Sequence, residues 1–350
     1  MKHHLNTLFV TTQGAYLRKE GEAVVVRIDG QTKLRVPLHH LGGICCFGRV
    51  ACSPHLMGRC AEAGIAISFL SENGRLQARV LGFTPGNVLL RREQYRRADD
   101  FTNSNGRLTG CAAVVRPIVT AKLLNSRAVL LRGIRDYSES PGRDNLDAAA
   151  MALAATLKMA EFETDVDRLR GMEGDGANSY FRALQYLVTR DDSAWQFAGR
   201  SRRPPRDPMN CLLSFLYTLL MHDARSACEA AGLDSQVGFL HRDRPGRASL
   251  ALDLMEELRA FLCDRLALSL INRQQVNASG FETTEAGGVM MNDQTRKIVL
   301  TAYQKRKQEE LTHPFLDEKV SIGLIVHLQA RLLARHLRGD LDLYPPFIWK

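Results

Sequence analysis

Zinc-type spacing is missing from this 350-residue chain. None of its eight cysteines (45, 46, 52, 60, 111, 211, 228 and 263) forms a Cys-x-x-Cys pair, which excludes the usual structural zinc and points to reduced thiols in a cytoplasmic setting. Long apolar runs are missing too. The longest, residues 211–221, falls far short of the roughly 20 residues a membrane helix needs, and the opening Met1-Lys-His-His-Leu-Asn has no signal-peptide run, so no membrane partner is expected. No Gly-Lys-Ser/Thr follows the glycine-rich residues 171–176, which therefore are not a P-loop. Prolines are few, and there is no internal repeat or extended low-complexity tract. With 45% hydrophobic residues, the chain suits one large or two modest globular domains rather than disorder.

Positive charge is what the chain has in excess. Its 47 basic residues exceed the 38 acidic ones by nine, and a pI near 9.3 favours a polyanionic partner such as nucleic acid. Many soluble proteins are as basic, so the argument turns on where the charges stand.

Residues 5–36 alternate as strands do, with Gly14, Gly21 and Gly30 between the runs, and read as an antiparallel meander. Ser53 and Pro54 cap and start a helix, Ile65 to Leu70 returns to strand, and Glu72-Asn-Gly74 predicts a hairpin turn. From Arg91 onward, helical periodicity takes over, through 117–136, 145–170, 177–189, 208–231 and 249–271. A small hairpin is expected around 281–291, then helices at 293–311 and 317–338. The fold class is α+β: a small N-terminal antiparallel β domain, residues 1–97, followed by a larger, mostly α-helical domain, residues 98–350. The apolar Tyr344-Pro-Pro-Phe-Ile-Trp349 docks on its own domain or on a partner.

Four residues carry the chemistry. Glu173 lies in Gly171-Met-Glu-Gly-Asp-Gly176 and reads as an acid in a sharp interhelical turn; alone, it could simply favour a helix dipole. His241 lies in a loop with Arg242, Arg244 and Arg247, where a lone histidine is ordinarily just solvated. Asp253 and Glu256 stand three apart and project from one side of a helix; alone they suit a solvated acidic face, as do Glu257 and Arg259. Taken together, the acids and one imidazole make an oxygen-rich set suited to Mg2+ or Mn2+ and to phosphodiester chemistry. Cations accompany them: Arg200, Arg202, Arg203 and Arg206 fill one loop, Arg91, Arg92, Arg96 and Arg97 flank Tyr95, and Lys305-Arg-Lys307 follows Tyr303. Arginine's planar fork suits phosphate, although such clusters are often only solubilising.

In order along the chain stand Glu173-Gly-x-x-Ala-x-x-Tyr-Phe181, Arg203-x-x-Arg-Asp-Pro-x-Asn-x-Leu-Leu-Ser-Phe-x-Tyr217, Gly238-Phe-Leu-His241 and Ser249-Leu-Ala-Leu-Asp-Leu-Met-Glu-Glu-Leu-Arg259. With these the chain resembles, over essentially its whole length, the integrase subunit of the CRISPR adaptation complex. Leu5-Asn-Thr-Leu-Phe-Val-Thr-Thr12, Ala15-Tyr-Leu17 and His313-Pro-Phe-Leu316 are most similar to the form accompanying type I-C systems.

The resemblance implies a dimerising β domain, a helical catalytic domain, and two such homodimers bridged by a small partner dimer. It implies Glu173, His241 and Glu256 as metal ligands, with Asp253 beside them; either Asp253 or Glu256 is the acid that touches metal directly. The implied activity inserts prespacer DNA into a repeat array by 3′-hydroxyl attack on repeat phosphodiesters, with endonuclease cleavage as a side reaction. Arg202, Arg203, Arg206, Arg242, Arg244 and Arg247 are expected to hold DNA, and Asn210 and Tyr217 to order the site. Two other readings use the same residues differently. A stand-alone metal-dependent nuclease would cut branched DNA without joining it, and a non-catalytic DNA-binding protein would ignore chelator.

Overall fold

The computed structural model describes residues 6–72, 76–80, 82, 87–101, 108–136, 142–190 and 192–349. Two four-stranded sheets come first. In one, β1 (Asn6–Val10), β5 (Leu41–Phe47), β7 (Ala66–Leu70) and β8 (Leu76–Val80) lie in that order, parallel except for the β7/β8 pair. In the other, the order is β4 (Gln31–Pro37), β3 (Ala23–Ile28), β2 (Tyr16–Glu20) and β6 (Ala51–Cys52), antiparallel except for β2/β6.

The β-rich start is as expected, but its strand directions are mixed rather than antiparallel. Only β2, β3 and β4 form the meander; β1 leaves it for β5. Alternation reveals which face a strand buries, not the direction of its neighbour, and parallel pairs need long crossovers. Residues 11–40 and 48–65 supply them. The latter crossover contains α1 (Pro54–Glu62), whose start is as read: the Ser53 side chain accepts from the Leu56 N–H, and Pro54 occupies the first turn. Asn73 and Gly74 of the expected turn lie outside the described residues, while β7 and β8 on either side pair antiparallel.

Strand β5 joins two cores. Ile44 and Cys46 pack with Leu17, Val24, Leu56 and Ile67 between sheet and helix α1. Cys45 and Phe47, on the opposite face, belong to the core of the helices. Burial on both faces accounts for a continuous apolar run where a one-sided strand would alternate. After α2 (Val88–Ala98) come α3 (Ala112–Asp136), α4 (Arg143–Ala160), α5 (Val166–Leu184), α6 (Pro208–Ala230) and α7 (Ser249–Glu256). A π-helical turn, Arg259–Asp264, leads into α8 (Arg265–Asn272). The hairpin β9 (Phe281–Thr283) and β10 (Val289–Met291) stands where expected, followed by α9 (Asp293–Gln308). A second hairpin, β11 (Glu310–Thr312) with β12 (Lys319–Ser321), takes residues assigned to helix by periodicity, so α10 (Ile325–Arg338) starts late. Among the described residues, no helix is long and apolar enough to cross a membrane.

The sharp turn expected around Glu173 does not exist. The break falls at residues 161–165, where Asp165 caps the next helix by accepting from the Arg168 N–H, and α5 then runs unbroken through Gly171, Gly174 and Gly176. Gly176 permits close packing rather than a turn. A Cβ there would stand 2.2 Å from Leu123 Cδ2 on α3, whereas a Cβ at Gly171 or Gly174 meets nothing within 4 Å.

The C-terminal segment docks on its own helices. Tyr344 and Phe347 are buried. The Tyr344 hydroxyl donates to Glu257 Oε1 (2.5 Å), and the Phe347 N–H and Gln329 Nε2 donate to Oε2 (2.7 and 2.9 Å). Asn125 of α3 donates to Phe347 O (2.9 Å) and accepts from the Trp349 N–H (2.8 Å). Glu257 is therefore no surface acid. Burial raises its pKa to about 7 despite those donors.

Two predictions follow from packing. Gly171→Ala and Gly174→Ala should each stabilise the protein by up to about 1 kcal/mol, while Gly176→Ala should cost about 1–3 kcal/mol by overpacking against Leu123; urea unfolding of the three variants checks the contrast. For Glu257, the folded pKa lies above the unfolded value, so its contribution is fullest below pH 4.5 and fades as pH rises through 7. The stability advantage of the natural protein over Glu257→Gln should shrink between pH 5 and pH 8 by an amount of order 3 kcal/mol. A constant difference would contradict this.

Candidate active site

Three elements deliver the acids and the imidazole: Glu173 from α5, His241 from the loop between α6 and α7, and Glu256 from the end of α7. The loop is held from within by Asp253, which is fully buried. Its Oδ2 accepts from the N–H groups of Phe239 (2.6 Å) and Leu240 (3.0 Å), and its Oδ1 from that of His241 (2.9 Å). The same Oδ1 lies 2.7 Å from His241 Nδ1. Arg170, one turn before Glu173, donates to the carbonyls of Leu240 (2.5 Å) and Phe239 (3.0 Å). The imidazole is thereby oriented with Nε2 toward Glu256 Oε1, at 3.7 Å. Asp253, expected among the metal ligands, has its oxygens committed to three amides and a ring nitrogen. These bonds orient His241.

Glu256 is 2% exposed and surrounded by cations. Lys122, on α3, brings Nζ to 2.7 Å from Glu256 Oε2 and also forms an ion pair with Glu173 Oε1. Arg259 Nη2 lies 3.0 Å from Glu256 Oε1. Burial pushes the Glu256 carboxyl up, but Arg259, Lys122 and His241 together outweigh it and hold its pKa below the usual carboxylate range. Among the described residues, no three His, Cys, Asp or Glu side chains are already gathered at metal-holding distances. Lys122 sits between the two acids instead.

Tyr217 and Asn210 support this centre from one layer out. The Tyr217 ring packs under the Arg259 guanidinium (4.9 Å to the centroid) and beside Arg200 (5.3 Å), and its hydroxyl donates to Asp264 Oδ1 at 2.6 Å. The π-helical turn, Arg259–Asp264, thus supplies both the cation over the ring and the acceptor for its hydroxyl. Asn210 accepts from Arg200 Nη1 (2.7 Å) and the Ser201 N–H (2.9 Å) and donates to Gly199 O (2.9 Å), so it shapes the 199–207 loop and makes Arg200 an internal strut.

Beyond them lie exposed cations. Arg202, Arg203 and Arg206 are exposed. A cavity of about 620 Å³ between α5 and their loop is lined by Glu173, Asn178, Arg182, Arg202 and Arg206. Arg247 has its pKa lowered, first by burial and then by the nearby charges of Arg244, Arg202 and Arg203. Arg242 differs, being paired with Asp167 at 2.9 Å. The other clusters are partly spent on internal pairs: Arg96 and Arg97 on Glu93, Lys307 on Asp223, and Arg306 on Glu309.

Sequence reasoning missed Lys122 and treated Arg259 as a solvated neighbour. The one available signal was a lysine within the apolar stretch Ile118-Val-Thr-Ala-Lys-Leu-Leu124, where burial of the charge calls for a partner.

Comparison with known proteins makes the chain a CRISPR-associated protein. Within that class it belongs to the Cas1 family: the profile described as "CRISPR associated protein Cas1" matches residues 8–305. It is 52% identical over 350 residues to a "CRISPR-associated endonuclease Cas1 1" of Chlorobaculum tepidum, with 100% of both chains covered. Among solved structures, a "casposase bound to integration product" superposes with a TM-score of 0.83 at 20% identity, covering 99% of this chain and 94% of that one. A "Cas6-RT-Cas1–Cas2 complex" gives 0.81 at 22% identity, covering all of this chain and 36% of that one. Those two likenesses establish the shared fold: a β-rich domain followed by a helical one.

Removing the Asp253 carboxylate leaves three buried amides and the ring without an acceptor. Asp253→Ala should therefore destabilise the protein by about 3 kcal/mol or more in urea unfolding, whereas Arg242→Ala, an exposed ion pair, should cost less than about 1 kcal/mol. Equal costs would remove Asp253 from its role.

Proposed function

We propose that the chain is a metal-dependent DNA integrase that inserts prespacer DNA into a CRISPR array. The carrying observation is that Lys122 pairs with both Glu173 and Glu256, that His241 Nε2 faces Glu256 Oε1 at 3.7 Å, and that Glu173 lines a cavity together with Arg202 and Arg206. The donor chemistry fits Mg2+ or Mn2+. Two carboxylates supply hard oxygens, and Asp253 ties Nδ1 of His241 so that Nε2 is the nitrogen left to donate. Glu173, His241 and Glu256 would hold the ion, which when bound supplies Lewis-acid polarisation of the phosphodiester and lowers the pKa of the attacking hydroxyl.

In the joining reaction, the 3′-oxygen of the prespacer forms a bond to a repeat phosphorus as the bond from that phosphorus to the repeat's own 3′-oxygen breaks; the attacking hydroxyl gives up its proton and the departing oxygen gains one. The number of phosphodiesters is unchanged, so no nucleotide hydrolysis is needed. Arg202, Arg203, Arg206, Arg244 and Arg247 would hold the DNA backbone, each phosphate neutralised adding about 0.9 to the salt slope of duplex binding. The casposase likeness supports joining chemistry, and the name of the Chlorobaculum relative supports cleavage by the same centre. That name favours a second reading, a nuclease acting alone on branched DNA, which predicts cut but unjoined product.

The assembly is part of the proposal. Residues 1–97 would dimerise and residues 98–350 would carry catalysis, with a small partner dimer bridging two such homodimers; the likeness to a complex containing both kinds of subunit supports it. The opening motif and His313-Pro-Phe-Leu316 support the type I-C form.

Glu173→Ala and His241→Ala should each abolish joining to a repeat-bearing plasmid while leaving duplex binding within about threefold, and EDTA should stop the natural protein. Joined product from either variant, or undiminished joining in chelator, would refute the assignment.

A further inference from the structure

Lys122 stands where the acid pair meets. It is only 8% exposed, yet its Nζ pairs with Glu173 and lies 2.7 Å from Glu256 Oε2, while Arg259 closes on the other Glu256 oxygen at 3.0 Å. Two carboxylates thus already face two fixed cations. A divalent ion drawing on the same oxygens would meet the ammonium at close range, where like charges in a buried site repel strongly. One cation has to yield. Arg259 is packed over Tyr217 and held by the π-helical turn; Lys122 carries a compact charge on a flexible four-carbon stem.

We propose that Lys122 is a built-in counter-ion, holding Glu173 and Glu256 together in the metal-free protein and competing with the metal for them. This rests on the metal-centre reading above. It differs from a merely structural ion pair, because removing a competitor strengthens metal binding whereas removing a strut weakens it. By linkage, the same ammonium stabilises the metal-free fold and opposes the ion.

Calorimetric titration of chelator-stripped full-length protein with Mn2+ alone tests the idea. Lys122→Met keeps the stem and removes the charge, and should bind Mn2+ at least tenfold more tightly than the natural protein. Its metal-free Tm should be lower and its Tm rise on adding Mn2+ larger. Lys122→Arg, retaining the charge, should bind no more tightly than the natural protein. If Lys122→Met does not fold by circular dichroism, Lys122→Gln takes its place in the same comparison. Mn2+ affinity in the charge-removed variant equal to or below that of the natural protein overturns the proposal. Mn2+ binding that survives Glu173→Gln in both backgrounds sinks the metal-centre reading itself, a separate result.

Discussion

The site depends on one buried carboxylate. Asp253 lies at zero exposure, where an unpartnered charge would be prohibitive, and it is tolerable because three successive amides and an imidazole converge on it. The relation works in both directions. The amides satisfy the acid, and the acid dictates the path of a loop that has no regular hydrogen bonding of its own. His241 inherits its orientation from that loop, and Arg170 fastens the same backbone to the helix that carries Glu173. Imidazole and first acid are therefore positioned relative to each other by hydrogen bonds to main chain, the least variable part of the protein.

Around this scaffold the charges are matched in layers. Glu256 meets Lys122 and Arg259, Arg259 lies on Tyr217, and Tyr217 is fixed by Asp264. Each of these groups is paired inward, whereas Arg202, Arg203, Arg206 and Arg244 at the rim face solvent. An interior paired within itself and a rim of exposed arginines is an arrangement that would suit the polyanion proposed above, since backbone phosphates would be drawn to the rim.

Much of this was legible in the sequence, and the illegible part has physical causes. Glu173 stood out among glycines, His241 among arginines, and Asp253 and Glu256 by their spacing, and the α1 cap and the β9/β10 hairpin followed from local chemistry at Ser53, Pro54 and Phe281–Thr283. Glycine misled at residues 171–176, since the residue that frees a turn also lets two helices approach closely, as Gly176 does against Leu123. Glu257 and Arg259 looked solvated because periodicity assigns a face but not what covers it; the covers are the distant Tyr344 and Phe347 for one and Tyr217 for the other. Strand direction in the first sheet was beyond reach for the same reason. It is set by crossovers, and alternation carries no record of them.

The docked C-terminal segment bears on how the chain matures. Glu257 waits 87 residues for the Tyr344 hydroxyl and 90 for the Phe347 amide, and Asn125 waits 224 for Trp349. Those receivers neighbour Glu256 and Lys122. During vectorial synthesis the two helices flanking the catalytic point would emerge with their inner polar groups unanswered, and contacts of such long sequence separation form late. The polar groups beside Glu256 and Lys122 are thus completed by residues 344–349 rather than by their own sequence neighbours, which ties the setting of the site to a distant stretch of chain.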